Sequence, residues 1–592
     1  MNLRLKRIKE LLKYLMDAIK QDGLKATFKR GVNFIKRRTQ HKKGRFLPAA
    51  SALERQKKTD FTLFPTISVC VPLFNTSQEY LQEMVSALLG QSCNKWELCC
   101  ADASSDDQRR LFLEALHDSR IKYIKVENKG IGANTNAAAK LASGEYLALL
   151  DHDDVLSPNA IYEMSKTAYD TKAKFIYSDE ALFTTDIKKP IVGHFKPCFA
   201  PDYLNCCNYI CHFSAFTKEL FWSVGGFDSA CDGSGDHDLF LKLSEQAQPV
   251  HIPKVLYYWR VHEGSTSGGT SAKPYVTTAA IRAISNHLER IDVDGVVTEG
   301  LSQSTYKVEY VIKGAPLVSI LIPNKDHIDD LDKAIKSILE KTDYKNYEII
   351  IIENNSENDE TFAYYANLPQ KCKVEYYNGS FNFSAINNFG RKYANGDYLL
   401  LLNNDVEIIN DAWLREMLSL CVQKNVGIVG AKLYYADDTV QHAGVITGLG
   451  GYAGHSHKYA VRSSGGYMFR LNTVQDFSCV TAACLMVKAN VYDEVGGMDE
   501  KFTVAFNDVD FCLRVRDKDY RVLYTPYAQL YHYESKSRGA DTKGAAKQRF
   551  DGEQRLLKER YGKRLINDPY YSPNLTLDRE DFSENDVFPR DI

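Results

Sequence analysis

The chain repeats itself, and a duplicated pattern limits its architecture more than any single segment does. Ile67-Ser68-Val69-Cys70-Val71-Pro72, a short apolar run ending at proline, recurs as Val318-Ser319-Ile320-Leu321-Ile322-Pro323. Each copy leads through a helix-period stretch to a second apolar run, residues 96–100 in one and 347–352 in the other. These runs enter Asp102-Ala103-Ser104 and Asn354-Asn355-Ser356. A third pair follows: Gly144-Glu145-Tyr146-Leu147-Ala148-Leu149-Leu150-Asp151-His152-Asp153 beside Gly396-Asp397-Tyr398-Leu399-Leu400-Leu401-Leu402-Asn403-Asn404-Asp405. Asp102 to Asp153 and Asn354 to Asp405 both span 51 residues.

Alternating strand and helix patterns predict an α/β fold with a parallel, helix-covered sheet in each half. Ligands of such sheets bind at the carboxyl ends of strands, where these polar residues fall. Further along, Gly225-Gly226-Phe227-Asp228 precedes Gly235-Asp236-His237-Asp238, and Gly496-Gly497-Met498-Asp499 precedes Asn507-Asp508-Val509-Asp510. A histidine closes each series: His262 comes 26 residues after Asp236, and His532 comes 24 after Asp508. The expected layout is an arm (1–60), a first domain (61–300), a linker (301–315), a second domain (316–540) and an extension packed on that second domain (541–592).

At roughly 150 residues per domain, 592 residues accommodate this plan. Hydrophobic residues at 44% and charged residues at 25% exclude a disordered or collagenous chain. Apolar runs such as 482–487 fall far short of the ~18–20 residues that span a bilayer, and the first 45 residues lack the pattern of a signal peptide. Fourteen cysteines without a CxxC pair are expected to be reduced. Cys206, Cys207 and Cys211 would need a fourth ligand and a second spaced pair to hold zinc, so buried thiols are the expectation.

The net charge of −2 conceals an asymmetry. Residues 1–45 carry fifteen Lys/Arg and three Asp/Glu, a net of +12, leaving the rest at −14. Leu5, Ile8, Leu12, Leu15 and Ile19 share one face of a predicted helix, flanked by Lys6, Arg7, Lys9, Lys13 and Lys20. The pattern resumes at Leu24, Phe28, Val32 and Ile35 and ends in basic clusters at 36–38 and 42–45. An apolar stripe with polybasic flanks suits an anionic membrane surface. Packing of the helices on the body is the alternative. Nucleic acid is not expected as a partner, because interleaved aromatics are scarce and the body is acidic.

An acid ending a buried strand, a second acid downstream and a later histidine suit a divalent cation beside a general base. Such a site would neutralise a departing diphosphate. There is no GxxxxGK[ST] loop, and Gly130-Ile131-Gly132 reads as a turn. Singly, Asp153 or Asp405 could cap a helix, Asp236 or Asp508 could sit in a turn, and either histidine could be structural. Four ordered elements kept twice favour active sites.

Both halves resemble inverting family 2 glycosyltransferases of the GT-A fold, a Rossmann-like and mostly parallel sheet. The whole resembles bacterial tandem glycosyltransferases of surface-polysaccharide assembly. In the first half the motifs are Phe195-Lys196-Pro197, Pro201-Asp202, Asn208-Tyr209-Ile210-Cys211-His212, Gly233-Ser234-Gly235-Asp236-His237-Asp238 and Trp259-Arg260-Val261-His262. In the second they are Asn382-Phe383-Ser384-Ala385-Ile386-Asn387-Asn388, Leu402-Asn403-Asn404-Asp405, Gln441-His442-Ala443-Gly444-Val445, Phe506-Asn507-Asp508-Val509-Asp510 and residues 532–539. Asp568-Pro569-Tyr570-Tyr571-Ser572-Pro573-Asn574-Leu575 also resembles the tandem group. Coverage is about 60–585.

The resemblance implies Mn²⁺ or Mg²⁺ on Asp153 with His262, and on Asp405 with His532. It implies Asp236 and Asp508 as catalytic bases in a single in-line displacement. Pro72, Asp102, Asn136 and Asp151 would line the first donor site, and Pro323, Asn354, Asn388, Asn403 and Arg538 the second. Asp102 matches the acid that pairs with a uracil or thymine base, and Asn354 is taken to stand at that position in the second half. Ala101 and Asn354 depart from a paired-acid motif, and Asn403 replaces the first acid of a DxD motif. The expected partners are nucleotide-sugar donors (UDP or dTDP), a glycan acceptor on a lipid, and the anionic inner face of the cell membrane, on which the protein would be peripheral. A glycoprotein acceptor, or one half serving as a glycan-binding module, are the alternatives. A sugar-nucleotide pyrophosphorylase would need a Gly-rich, Arg-containing loop after its first strand, which neither half has.

Overall fold

The computed structural model describes residues 44–262, 274–533 and 544–585. The predicted arm through residue 43 and Arg538 lie outside the described residues. In the first half, nine strands form one sheet: β1 Ile67–Leu73, β2 Trp96–Asp102, β3 Ile121–Lys125, β4 Tyr146–Leu149, β5 Val155–Leu156, β6 Phe175–Phe183, β7 Val192–His194, β8 Ser214–Thr217 and β9 Val250–Arg260. A hairpin follows, β10 Gly295–Glu299 and β11 Tyr306–Tyr310. The second half begins with β12 Val318–Asn324, β13 Tyr347–Glu353, β14 Cys372–Tyr376, β15 Tyr398–Leu402, β16 Val406–Ile408, β17 Val426–Tyr434 and β18 Val440–His442. It ends with β19 Val445–Thr447, β20 Ala453–His455, β21 Gln475–Phe477, β22 Cys484–Lys488 and β23 Arg521–His532.

The two large sheets run in one order. The first is β3-β2-β1-β4-β8-β6-β9-β5 and the second β14-β13-β12-β15-β22-β17-β23-β16. β1 pairs in parallel with β2 and β4, as β12 does with β13 and β15, while β8 and β22 enter antiparallel. The central strands are mostly apolar because helices cover both sheet faces; Val318, Ile320, Leu321 and Ile322 of β12 are completely buried.

A polar knot recurs at the amino end of each sheet. Ser68 Oγ donates to Glu97 (2.7 Å), and the Gly144 amide donates to Ser68 Oγ (3.1 Å). Ser319 Oγ donates to Glu348 (2.8 Å), and the Gly396 amide to Ser319 Oγ (2.8 Å). A Cβ on Gly144 would lie 2.6 Å from the Thr66 carbonyl oxygen, and one on Gly396 2.7 Å from that of Leu317. Close backbone approach therefore explains both glycines.

Two expectations about the connections need correction. Within the predicted linker, 306–310 is strand β11, with Tyr306, Val308 and Tyr310 buried. It bridges the halves: Asn205 donates to Tyr310 Oη (3.3 Å), and Ser419 Oγ donates to the Tyr310 carbonyl (3.0 Å). The C-terminal extension also packs on both halves rather than the second alone. Glu553 accepts the amides of Thr503 (2.7 Å) and Val504 (2.9 Å) in the second half. Asn574 Nδ2 donates to Asp179 (2.9 Å) and Pro569 O accepts the Cys198 amide (2.8 Å) in the first. Direct contacts complete the seam, with Arg521 against Asp202 (2.8 Å) and Tyr203 Oη donating to Met468 O (2.6 Å).

Candidate active sites

Strand β4 delivers Asp151, Asp153 and Asp154 to the carboxyl edge of the first sheet, and β9 delivers His262 just past its end. His262 Nε2 lies 2.9 Å from Asp153 Oδ2. Arg260 fixes this corner, its Nε donating to Asp153 O (2.6 Å) and its amide to Asp154 Oδ1 (2.7 Å). Asp154 is buried and also accepts from Tyr257 Oη, so it ties β4 to β9; burial and then the Asp151 charge push its pKa well up.

Asp236 sits in the first turn of the helix Gly235–Gln246. Burial, reinforced by Asp151 and opposed by His212, raises it to about 6. A carboxyl poised there suits a general base near neutral pH. Burial also raises Asp151. His212 was singled out only as part of a motif, and Glu180 not at all, yet they form one cluster. Glu180 accepts from His194 (3.0 Å), His212 (3.0 Å) and buried Lys196 (3.3 Å). Burial works against charging His212, but Glu180 with Asp151 and Asp154 lifts it to about 9. A cation thus faces the carboxylates of this site. Its signal in the sequence was the motif residues Lys196 and His212, with nothing local to pair them with Glu180.

The second half repeats the frame with different chemistry. His532 Nε2 lies 3.2 Å from Asp405 Oδ1 and 3.1 Å from Asn403 Nδ2. Asp508 lies in the first turn of the helix Asn507–Arg516. Burial raises it too, but Ala482 N (3.2 Å) and Val509 N (2.8 Å) donate to its carboxylate and hold the rise back.

Asp102 ends β2 fully buried. Burial opposes its ionisation, but Ser104, Tyr123 Oη (2.9 Å) and Lys125 (3.4 Å) overcome that and keep its pKa low. Strand register corrects its expected counterpart. Asp102 pairs with Leu73, the residue after Pro72; Glu353, not Asn354, pairs with Asn324, the residue after Pro323. The second half carries one extra residue before Ser356: the Asn75 amide donates to Ser104 Oγ (2.8 Å) as the Asp326 amide does to Ser356 Oγ (2.7 Å). Glu353 accepts Tyr365 Oη (2.6 Å), while Asn354 Nδ2 donates to the Gly379 carbonyl (2.9 Å).

Asn136 and Asn388 each tie their helix to a loop. Asn136 accepts the Phe227 amide (3.0 Å) and donates to its carbonyl (2.9 Å); Asn388 does the same to Met498 (2.9 Å each way). Both side-chain ends are spent on the glycine loops ahead of the Asp236 and Asp508 helices, so these amides position a loop. Pro72 and Pro323 are the penultimate residues of β1 and β12.

Each half thus brings an Asp–His pair to a strand edge. Adjacent ligands of an octahedral cation at 2.0–2.1 Å stand about 3 Å apart, which the 2.9 and 3.2 Å separations match. Among the described residues no group of three or more His, Cys, Asp or Glu is arranged around a common point. Two protein ligands suit a cation otherwise held by diphosphate and water.

Residues 68–225 and 319–489 match the family model described as Glycosyl transferase family 2. The chain belongs to that family. One match lies in each half. The chain is 40% identical over 531 residues to "Uncharacterized protein y4gI" of Sinorhizobium fredii, covering 88% of this chain and 58% of the relative. It is 33% identical over 534 residues to "O-antigen biosynthesis protein RfbC" of Myxococcus xanthus, covering 87% and 41%. A shorter match, 30% over 206 residues, is to the "Chondroitin synthase" of Escherichia coli, covering 34% of this glycosyltransferase and 30% of the relative. The chain thus spans about half the length of the first two relatives. No helix among the described residues is long and apolar enough to cross a membrane.

Proposed function

We propose that this glycosyltransferase is bifunctional, each half moving one sugar from a nucleoside diphosphate sugar (UDP or dTDP) to a growing cell-surface polysaccharide with inversion. The observation that carries the reading is the repeated constellation: Asp153 with His262 at 2.9 Å and Asp236 close enough to Asp151 to feel its charge, and Asp405 with His532 at 3.2 Å and Asp508 held by the Ala482 amide, next to the Ala483 carbonyl that accepts the Asn403 amide. Asp236 or Asp508 takes the proton of an acceptor hydroxyl, whose oxygen attacks the anomeric carbon as the bond to the diphosphate breaks. Mn²⁺ or Mg²⁺ bound at the Asp–His pairs would stabilise charge on the departing diphosphate. Asp102, and Glu353 or Asn354, would meet the nucleobase.

The names of the O-antigen and chondroitin relatives support a polysaccharide product. The +12 charge and apolar stripe of residues 1–45 support an anionic membrane surface and a lipid-linked acceptor. One observation favours a lesser role for the second half: Asp508 is held by two backbone amides where Asp236 faces Asp151 and His212. In that reading the second half holds the glycan for the first.

The test is nucleoside diphosphate release from UDP-, dTDP- and GDP-sugars with Mn²⁺ and a membrane-lipid extract, comparing wild type, Asp236→Asn and Asp508→Asn. Loss of a different donor in each variant is expected. Loss in Asp236→Asn alone would leave the second half as a binding module, and no loss in either would refute both bases. Co-sedimentation with anionic vesicles should vanish when residues 1–43 are removed.

A further inference from the structure

His532 is clamped by a residue with no assigned part in the chemistry. Gln441, on β18 and 97% buried, makes two reciprocal bonds to it. Gln441 Nε2 donates to the His532 carbonyl oxygen (3.2 Å), so Gln441 Oε1 is the end that meets His532 Nδ1, at 2.7 Å. A carbonyl oxygen only accepts. The Nδ1 proton is therefore retained, and Nε2 is the nitrogen able to offer a lone pair. That nitrogen lies 3.2 Å from Asp405 Oδ1, and its lone pair accepts from Asn403 Nδ2 (3.1 Å), a neutral donor that a cation bound there would displace.

We infer that Gln441 is a positioning residue for the cation site of the second half, selecting the Nδ1–H tautomer of His532 and fixing its ring so that Nε2 and Asp405 ligate one divalent cation together. The inference rests on the cation reading given above. A ligating imidazole needs its other nitrogen held by an acceptor, and loss of such a partner typically weakens binding 10–100-fold. In the first half this strand position has no side chain to serve so. The matching three-residue strand β7 carries Val192 and Gly193 ahead of its histidine, and His194 is turned to Glu180.

The experiment is Mn²⁺ titration followed by electron paramagnetic resonance, on the full chain carrying Asp153→Asn so that the second site reports alone. Gln441→Leu and Gln441→Met remove the acceptor, Gln441→Glu keeps it, and Asp405→Asn removes the ligand; thermal melts identify the variants that fold. Roughly 10–100-fold weaker Mn²⁺ binding is expected for Leu or Met, whichever folds, with affinity restored to about wild type by Glu. If Asp405→Asn leaves binding unchanged, the cation reading itself falls. If Asp405→Asn abolishes binding but Leu and Met do not weaken it, or Glu weakens it as much as they do, the role given to Gln441 is overturned while the cation site stands.

Discussion

Asp236→Asn should make the protein less active and more stable, and the stability gain should depend on pH in one direction. The folded state raises Asp236 from an ordinary 3.8 to about 6, chiefly through burial. Folded protein therefore binds this proton more tightly than unfolded chain, and wild type loses stability as pH rises from about 4 to 6. Two pKa units correspond to about 3 kcal/mol at most, a cost fully present above pH ~6.5 and absent below ~3.8. Asparagine, which cannot ionise, escapes it. At roughly 2–4 °C per kcal/mol for a domain of this size, the variant should melt up to about 10 °C above wild type at pH 7.5. The difference should shrink toward zero at pH 4. Nucleoside diphosphate release by the first half should fall about 10²–10⁴-fold, and kcat/KM of the wild-type first half should drop below pH ~6 as the base is protonated. A melting difference equal at pH 4 and 7.5, or a variant less stable at pH 7.5, would refute the claim that the fold holds this carboxyl under electrostatic strain.

Asp508→Asn should show little or no such gain, because it weakens the bonds from Ala482 and Val509 that now serve the carboxylate; parallel melts of the two variants check this. Gly396→Ala should cost about 1–3 kcal/mol, since the added carbon meets the Leu317 carbonyl at 2.7 Å, whereas Gly552→Ala, with nothing within 4 Å, should be neutral or slightly stabilising by denaturant titration. Asp568→Ala should destabilise by about 2–4 kcal/mol and speed proteolysis of the C-terminal segment, because it strands the buried Thr447 amide (2.8 Å) and the Ser478 hydroxyl (2.7 Å).

The duplicated sheets were legible because parallel strands buried on both faces need apolar runs, and two runs at one spacing betray two copies. The acids of the site were legible because they close those runs. What escaped was whatever depends on partners distant in the chain. Equal 51-residue spacings matched Asn354 to Asp102, yet the strands pair Glu353 there, since one inserted residue leaves strand geometry intact while shifting every count beyond it. Asn136 and Asn388 lie on helices beside each site, and only the fold reveals that their amides are spent on Phe227 and Met498. Glu180 is an ordinary acid in sequence; it becomes a hub because β6 packs it against residues from β7 and from the loop before β8. Strand β11 is a different case: Tyr306-Lys307-Val308-Glu309-Tyr310 alternates apolar and polar as a half-buried strand does, so its form was legible, but the surfaces from both halves that cover it lie far away in the chain.

That same strand bears on how such a chain can change over generations. Tyr306, Val308 and Tyr310 are covered jointly by the two halves, and the C-terminal segment stitches across both. Deleting either half would bare an apolar seam, so neither copy can be discarded once the duplication has settled. A mutation that silenced one centre would be inherited along with its scaffold, sheltered from removal by the needs of its neighbour. Selection can retune each centre toward its own sugar, but it must do so by single substitutions within the clefts and never by exchange of whole modules.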